Sequence, residues 1–127
     1  MNIDDITYEI IGAAIQVHSV LGPGLLESAY GRCLAYEMEK RGLVVRKEFL
    51  IPLKYEEIAI GDAYRVDFLV NDTVILELKS VEKILGIHKA QTITYLTLAS
   101  KPAGLLINFN VELLKDGIHR LFPRSSS

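Results

Sequence analysis

Two apolar runs in the middle of the chain are interrupted by charged residues suited to binding a metal ion and a phosphate. Asp67 lies in the run 65–70, and Glu77 and Lys79 lie in the run 74–79. A buried carboxylate needs a hydrogen-bonding partner, an opposite charge or a metal, because its transfer out of water is costly. Two carboxylates beside an ammonium group therefore predict a site for a hard divalent cation and a phosphate oxygen.

The apolar alternation also predicts how the two runs pair. Successive side chains point to opposite faces of a strand, so a slip of one residue would turn an apolar face toward water. The apolar faces coincide if the runs form an antiparallel hairpin with an odd connection at residues 71–73 or an equivalent bulge. This register places the two carboxylates opposite each other, with Cβ atoms about 4.5–5.5 Å apart. The predicted partners are Val70 and Val74, Phe68 and Leu76, Asp67 and Glu77, Val66 and Leu78, and Arg65 and Lys79.

Hydrophobic periodicity predicts the elements that position this hairpin. Helices are expected at about residues 4–20, 25–41 and 87–100, and strands at 44–60, 104–109 and 118–122, with a hairpin turn at 61–62 and a turn of helix at 111–115. The buried stripe of the second helix is expected to contain Leu26, Tyr30, Cys33, Leu34 and Met38. Two helices, several strands, a helix and a strand predict an α/β or α+β sandwich around a mixed sheet.

Two helices carry polar residues with the spacing of a shared face. Glu27 and Tyr30 are three residues apart at the start of the second helix. His88, Gln91 and Tyr95 form a polar stripe on the third helix, which has no charge after position 89. Each set has a simpler interpretation, since an acid near a helix start compensates the dipole and a polar stripe is commonly solvated.

Composition indicates an ordinary globular protein. The 127 residues include 14 basic and 16 acidic side chains, for a net charge of −2, so no strongly basic surface is apparent. One cysteine excludes an internal disulfide and fits a reducing compartment. Because no basic signal segment and no long apolar span is seen, we expect a cytoplasmic protein without membrane contact. We expect one domain over residues 1–123 and a disordered tail at 124–127.

The ordered set of charged and aromatic residues resembles the PD-(D/E)XK nuclease superfamily. Within it, the segment Gly-Leu-Leu-Glu-Ser-Ala-Tyr at residues 24–30 resembles the signature of the GxxExxY protein family. The superfamily's proline is replaced by Val66 before Asp67. Other similar segments are residues 17–18, 21–24, 64–67, 77–79, 88–91 and 104–109.

This resemblance implies a restriction-endonuclease-like core, with a mixed central β-sheet flanked by α-helices. It implies metal-dependent hydrolysis of phosphodiester bonds in nucleic acid, with DNA rather than RNA as the expected substrate and Mg²⁺ or Mn²⁺ as cofactor. The implied metal ligands are Asp67, Glu77, the Leu78 carbonyl and Glu27, the last directly or through water. Lys79 would orient the attacking water or stabilise phosphate charge, and Gln91 and Tyr95 would position Lys79 or the substrate. The substrate contacts we expect are Tyr30, Arg65 and His88.

Two other interpretations remain open at the level of sequence. The chain could be a binding or assembly module, or a nuclease subunit, that keeps the fold without cleaving. Alternatively, Asp67, Glu77, Arg65 and Lys79 could form an internal ion-pair network, since such networks perturb pKa values without catalysis. A domain of this size could also act as a homodimer or within a larger complex.

Overall fold

One mixed sheet organises residues 1–125, which the computed structural model describes except for the side chains of residues 62–63. Within this part there are five strands in the order β1-β2-β3-β4-β5, of which only β3 and β4 are parallel. The elements are α1 (Ile3–Leu21), α2 (Glu27–Lys40), β1 (Val45–Tyr55), β2 (Ile58–Val70), β3 (Val74–Lys79), α3 (Gly86–Ala99), β4 (Ala103–Asn108), a 3₁₀ helix (Leu114–Gly117) and β5 (Ile118–Leu121). The predicted α/β fold with a mixed sheet is confirmed.

The helices cover the two faces of the sheet unequally. Helices α1 and α2 pack on one face, where Ile10 and Leu34 join Phe68 and Leu76 in the larger apolar core. Helix α3 covers the other face, where its side chains join a smaller core; the fully buried members of this core are Ile51, Leu69, Ile75 and Leu96. Because the central strands are covered on both faces, all six residues of β4 are buried, as its largely apolar sequence indicates.

Helix boundaries follow local chemistry. Asn2 caps α1, since its Oδ1 accepts the N–H of Asp5 at 2.8 Å and the Asp5 carboxylate accepts the N–H of Asn2 at 3.2 Å. Gly42 follows α2 with a φ of 84°, a conformation that glycine adopts at little cost. The predicted inner stripe of α2 was wrong at two positions: Cys33 is exposed and Leu26 is 76% exposed. Both lie off the face that the helix turns to the sheet.

The turn between β1 and β2 lies earlier than predicted. Tyr55 pairs with Ile58 around a turn at residues 56–57, so the predicted hairpin at 61–62 was wrong. Gly61 has a φ of 81° but lies inside β2, where the pairing is irregular between Leu53 and residue 54. A glycine with positive φ suits a bulge as well as a turn. Both can require a left-handed backbone, and glycine adopts it easily because it has no Cβ.

The predicted hairpin of the two charged runs is confirmed at its closed end. Val70 pairs with Val74 and Phe68 with Leu76 across the connection at residues 71–73. The regular ladder stops at Phe68, so the predicted pairs of Val66 with Leu78 and of Arg65 with Lys79 were wrong.

The strand also changes face at this point. Val66 packs in the smaller core with Leu69, whereas Phe68 packs in the larger one, so the regular alternation on which the predicted register depends is broken between Val66 and Phe68. This change of face accompanies an irregularity beside Asp67. Glu48, which lies opposite Asp67 on β1, adopts a φ of 52°, and Glu48 and Asp67 are not paired in the β1–β2 ladder.

The chain closes against α3. Arg124 donates from its backbone N–H to Thr97 Oγ1 at 3.1 Å and from its guanidinium to Thr94 Oγ1 at 3.1 Å. These bonds hold the first residue of the predicted tail at 124–127, and residues 126–127 of that tail lie outside the described residues. No helix within the described part of the chain has both the length and the apolar character needed to cross a membrane.

Candidate active site

Asp67 and Glu77 are joined by a reciprocal pair of hydrogen bonds at the point where the β2–β3 ladder stops. The backbone N–H of Asp67 donates to Glu77 Oε1 at 2.7 Å. The backbone N–H of Leu78 donates to Asp67 Oδ2 at 2.8 Å. Each carboxylate thus replaces a ladder bond on the opposite strand and keeps its second oxygen for another partner. The predicted proximity of the two carboxylates is therefore observed, although not through strand pairing.

Burial makes this carboxylate pair costly without a cation. Glu77 is only 8% exposed, and burial followed by the charge of Asp67 raises the pKa of Glu77 to about 7. Burial also raises the pKa of Asp67, against the lowering effect of its hydrogen bond from Leu78. A positive charge at the free oxygens would stabilise the ionised form of both groups.

An internal ion-pair network does not explain these carboxylates. Among the described residues neither Asp67 nor Glu77 forms a salt bridge, and Arg65 instead lies 3.8 Å from Glu48. Lys79 is close enough for its charge to lower the pKa of both Asp67 and Glu77, but not in direct contact. The neutralising network considered from sequence is therefore not formed.

Glu27 reaches the same place from the first residue of α2. Its Oε2 accepts the backbone N–H of Ser80 at 3.4 Å, just after the end of β3. Its charge raises the pKa of both Asp67 and Glu77, so the three acids share one electrostatic environment. Glu27 itself is exposed and lies at the rim of the site, whereas Glu77 lies at its buried end.

Tyr30 holds the turn that leads into Glu27. Its side chain is fully buried and its hydroxyl donates to the Gly22 carbonyl at 2.6 Å and accepts the N–H of Leu25 at 3.1 Å. Its ring stacks on Phe109 with centroids 4.5 Å apart. The structure therefore places Tyr30 behind the site, where it fixes the start of α2, and not where a substrate would touch it.

Two residues that sequence reasoning missed fix the other side of the site. Ser80 donates its hydroxyl to the Leu25 carbonyl at 2.6 Å, which ties the loop before α2 to the end of β3. Asn108 is 2% exposed; its amide nitrogen donates to the Val81 carbonyl at 2.9 Å and its Oδ1 accepts the Val81 N–H at 3.1 Å. The only sequence signal was a polar residue at the end of an apolar strand.

The polar stripe of α3 divides between the site and the surface. Tyr95 is 9% exposed, and the nearby charge of Glu77 helps burial to raise its pKa. Gln91, one turn earlier, is exposed. His88 accepts the backbone N–H of Leu85 on its Nδ1 at 2.9 Å, so this histidine closes the N-terminus of α3. Arg65 is exposed beside Glu48 on the outer strands.

An open cleft leads from the rim of the site along α2. It has a volume of about 890 Å³. Asp67 and Glu27 line one part of it, together with Phe68 and Leu78. Glu77 does not line this cleft, although its side chain accepts the Asp67 N–H. The side chains that extend the cleft beyond the acids are Ser28, Gly31, Arg32, Tyr36, Glu39, Lys40, Lys47 and Glu48.

The donor set fits a hard divalent cation held by few protein ligands. Among the side chains that the structure describes, no three of His, Cys, Asp or Glu converge tightly enough to enclose a metal on their own. Mg²⁺ commonly uses one or two carboxylates and keeps several waters or substrate oxygens. The second oxygens of half-buried Asp67 and buried Glu77 have no cationic contact among the described residues, which matches that demand. Glu27 at the rim would then act through water.

Comparison with known proteins places this geometry in a family. Residues 4–121 match the sequence model of the PD-(D/E)XK nuclease superfamily, a range that extends from the first turn of α1 to the end of β5. Neither the curated proteins nor the solved structures contain a match to the chain. The matched range includes every candidate residue described above. The chain therefore belongs to the PD-(D/E)XK nuclease superfamily.

Proposed function

We propose that this protein hydrolyses phosphodiester bonds in nucleic acid, with DNA preferred to RNA and with Mg²⁺ or Mn²⁺ as cofactor. The observation that carries the proposal is the reciprocal bonding of Asp67 and Glu77. It holds the buried Glu77 and the half-buried Asp67 together without a salt bridge among the described residues. Such an arrangement is unfavourable for folding alone, because like charges at short range repel.

Each residue of the site has a distinct proposed role. Asp67 and Glu77 hold the cation through their free oxygens, and the Leu78 carbonyl is a further proposed ligand. Glu27 orients a water of the cation from the rim, where the Ser80 N–H restrains it. A divalent cation bound here would lower the pKa of a ligated water and offset the charge of the phosphate.

Lys79 and the α3 stripe complete the proposed machinery. Lys79 stabilises the negative charge that develops on the phosphate and orients the attacking water. Its backbone is fixed on the β4 side, since its carbonyl accepts the Phe109 N–H at 2.9 Å and it pairs with Asn108 in the parallel ladder. Tyr95 and Gln91 support Glu77 and Lys79 from the α3 side, where Tyr95 is the nearer of the two.

The test is cleavage of labelled single- and double-stranded DNA and RNA in Mg²⁺ or Mn²⁺. We expect cleavage by the parent protein and none in excess EDTA. Asp67→Asn and Lys79→Ala should each lose at least about 100-fold in rate, the range for removing one electrostatic contact with the transition state. Glu82→Gln, an exposed acid outside the cleft, should keep the parent rate. Equal activity in all four proteins would indicate a contaminant and refute the proposal.

The alternative function is a nucleic-acid-binding or assembly subunit, or a nuclease subunit, that keeps the fold without cleavage. Such a subunit would bind nucleic acid in EDTA and in Mg²⁺ with no product in either. Sedimentation of the purified chain, alone and with substrate, would show whether it acts as a homodimer or in a larger complex.

A further inference from the structure

A stripe of three side chains on α2 extends the cleft away from the carboxylates. Arg32, Tyr36 and Lys40 are spaced by four residues, which places them on one helix face about 6 Å apart along the axis. All three line the cleft that also contains Glu27 and Asp67. The cleft wall therefore follows α2 for about 20 Å, from its first residue to its last.

The cations of this cleft are available to bind phosphate. Arg32 is exposed on α2, and Lys47 is exposed on β1, which forms the opposite wall. Among the described residues neither makes a side-chain hydrogen bond or a salt bridge. The Lys40 ammonium group lies 3.5 Å from Glu37 and 5.4 Å from the centre of the Tyr36 ring. Unpaired basic side chains beside a phosphodiester site suit contacts to the backbone of a nucleic acid.

The charge of the cleft is modest. Outside the carboxylates at its inner part, the cations Arg32, Lys40 and Lys47 face the acids Glu39 and Glu48. Duplex DNA carries one negative charge per about 1.7 Å of helix axis, twice the density of either strand. A weakly positive channel is thus better matched to one strand than to two.

Tyr36 also points to an unpaired base. Its side chain is 65% exposed, which is unusual for a ring in the wall of a cleft. Bases in a duplex stack on one another, so a protein aromatic side chain stacks well only on a base of a single strand. The volume of about 890 Å³ lies in the range of small-ligand sites, about 300–1,000 Å³, and suits a few nucleotides of one strand.

We infer that this cleft binds a single-stranded stretch or end of nucleic acid. One base stacks on Tyr36, and Arg32 and Lys47 hold the phosphates that lead to the carboxylate site. This inference rests on the proposed function, because it names the form of substrate that the same site would receive.

Binding without turnover tests the inference separately from catalysis. A short fluorescein-labelled oligonucleotide, as DNA and as RNA, is titrated with the full chain, alone and annealed to its complement. Fluorescence anisotropy is measured in EDTA, and again with Ca²⁺ in place of Mg²⁺. We expect the single strand to bind more tightly than the duplex. Equal or tighter binding of the duplex, or no binding of the single strand in either buffer, would overturn the inference.

Substitutions locate the bound strand. Tyr36→Ala should weaken single-strand binding at least about 5-fold, the lower end of the effect of one lost base stack. Tyr36→Phe should restore most of it, because the phenyl ring still stacks. Tyr8→Ala is the matched control, since Tyr8 is 74% exposed on α1 and does not line the cleft. If the alanine variants at positions 36 and 8 bind alike, the base does not stack where we infer.

Phosphate contacts have their own readout. Arg32→Ala and Lys47→Ala should each reduce the slope of log affinity against log salt by about 0.7, the value for one single-strand phosphate contact. Lys54→Ala, an exposed residue of β1 outside the cleft, should leave the slope unchanged. Single-strand binding without any cleavage in Mg²⁺ would remove the proposed catalysis and keep this inference. Cleavage of duplex, with no effect of Tyr36→Ala on single-strand binding, would support the proposed catalysis and overturn this inference.

Discussion

Glu77→Gln should make the metal-free protein more stable above about pH 4.5, with the full gain reached above about pH 7. In the folded protein burial and the charge of Asp67 raise the pKa of Glu77 to about 7 from its ordinary 4.5. Between these two pH values the folded chain binds more protons than the unfolded chain, so stability falls as the pH rises. The penalty is absent below pH 4.5 and complete above pH 7. Glutamine does not ionise, so the Glu77→Gln variant does not have this stability penalty.

The expected size of the effect follows from the difference between the two pKa values. One pKa unit corresponds to about 1.4 kcal/mol, so ionisation of Glu77 costs the folded state about 3 kcal/mol at pH 8. The substitution leaves the amide oxygen to accept the Asp67 N–H, so the bond of 2.7 Å has a replacement. A gain of this size would raise the melting temperature by on the order of 10 °C.

Urea unfolding at pH 4.5 and pH 8, both in EDTA, measures the difference. We expect the parent and Glu77→Gln to unfold at similar urea concentrations at pH 4.5, and the variant to be more stable at pH 8. Glu82→Gln controls for a change of net charge at an exposed position. Equal stability at pH 8, or the same gain at both pH values, would refute the assigned cause. Added Mg²⁺ at about 100 times its Kd should then stabilise the parent by about 2.7 kcal/mol and the variant much less.

Four further substitutions test other parts of the structure. Asp67→Asn should abolish Mn²⁺ binding in calorimetry while the circular dichroism spectrum stays unchanged; parent-like affinity would remove Asp67 from the ligand set. Tyr30→Phe should lower the free energy of unfolding in urea by about 1–3 kcal/mol, because the Gly22 carbonyl and the Leu25 N–H would lose the hydroxyl group that bonds to both. An unchanged urea midpoint would contradict that bridging role. Gly117→Ala should prevent stable folding, because its Cβ would lie 2.1 Å from the Asn108 carbonyl oxygen, whereas Gly86→Ala meets nothing within 4 Å and should leave the melting temperature the same or higher.

The closed end of the central hairpin could be predicted because two independent constraints select one register. Alternating apolar residues demand a common buried face, and Val70 can meet Val74 on that face only across three connecting residues. Asn71 and Asp72 accommodate the connection with φ values of 50° and 54°, which Asn and Asp tolerate better than most residues. The same alternation predicted that Asp67 and Glu77 lie close together, which the structure shows through side-chain to backbone hydrogen bonds and not through the predicted ladder pair.

The errors share a physical cause, since each involves a local backbone choice that side-chain patterning does not record. Glu48 adopts a left-handed conformation although nothing in its sequence context favours it, and the face of Val66 changes as a result. Gly61 allows both a turn and a bulge, and residues 56–57 form the turn with no glycine or proline. Alternation fixes faces only while the strand stays regular.

The residues that support the site were harder to predict from the sequence than the acids. Ser80 and Asn108 act through hydrogen bonds to loops that are distant along the chain, and a short polar side chain has many such uses. Tyr30 belongs to a sequence motif that suggested contact with substrate, whereas its burial indicates that it supports the start of α2. Sequence patterns thus predicted the charged residues of the site. The residues that hold those charged residues in place became apparent only from the tertiary contacts.

The irregular pairing of β1 also bears on self-association of the chain. This strand has 11 residues and lies at one edge of the sheet, where unpaired backbone groups could recruit another copy into a fibre. Pro52 lacks an N–H, the register shifts on either side of Leu53, and Glu48 departs from extended geometry. Lys47 adds a charge that a second strand would have to accommodate. The same distortion that separates Asp67 from the ladder therefore also blunts this edge against aggregation.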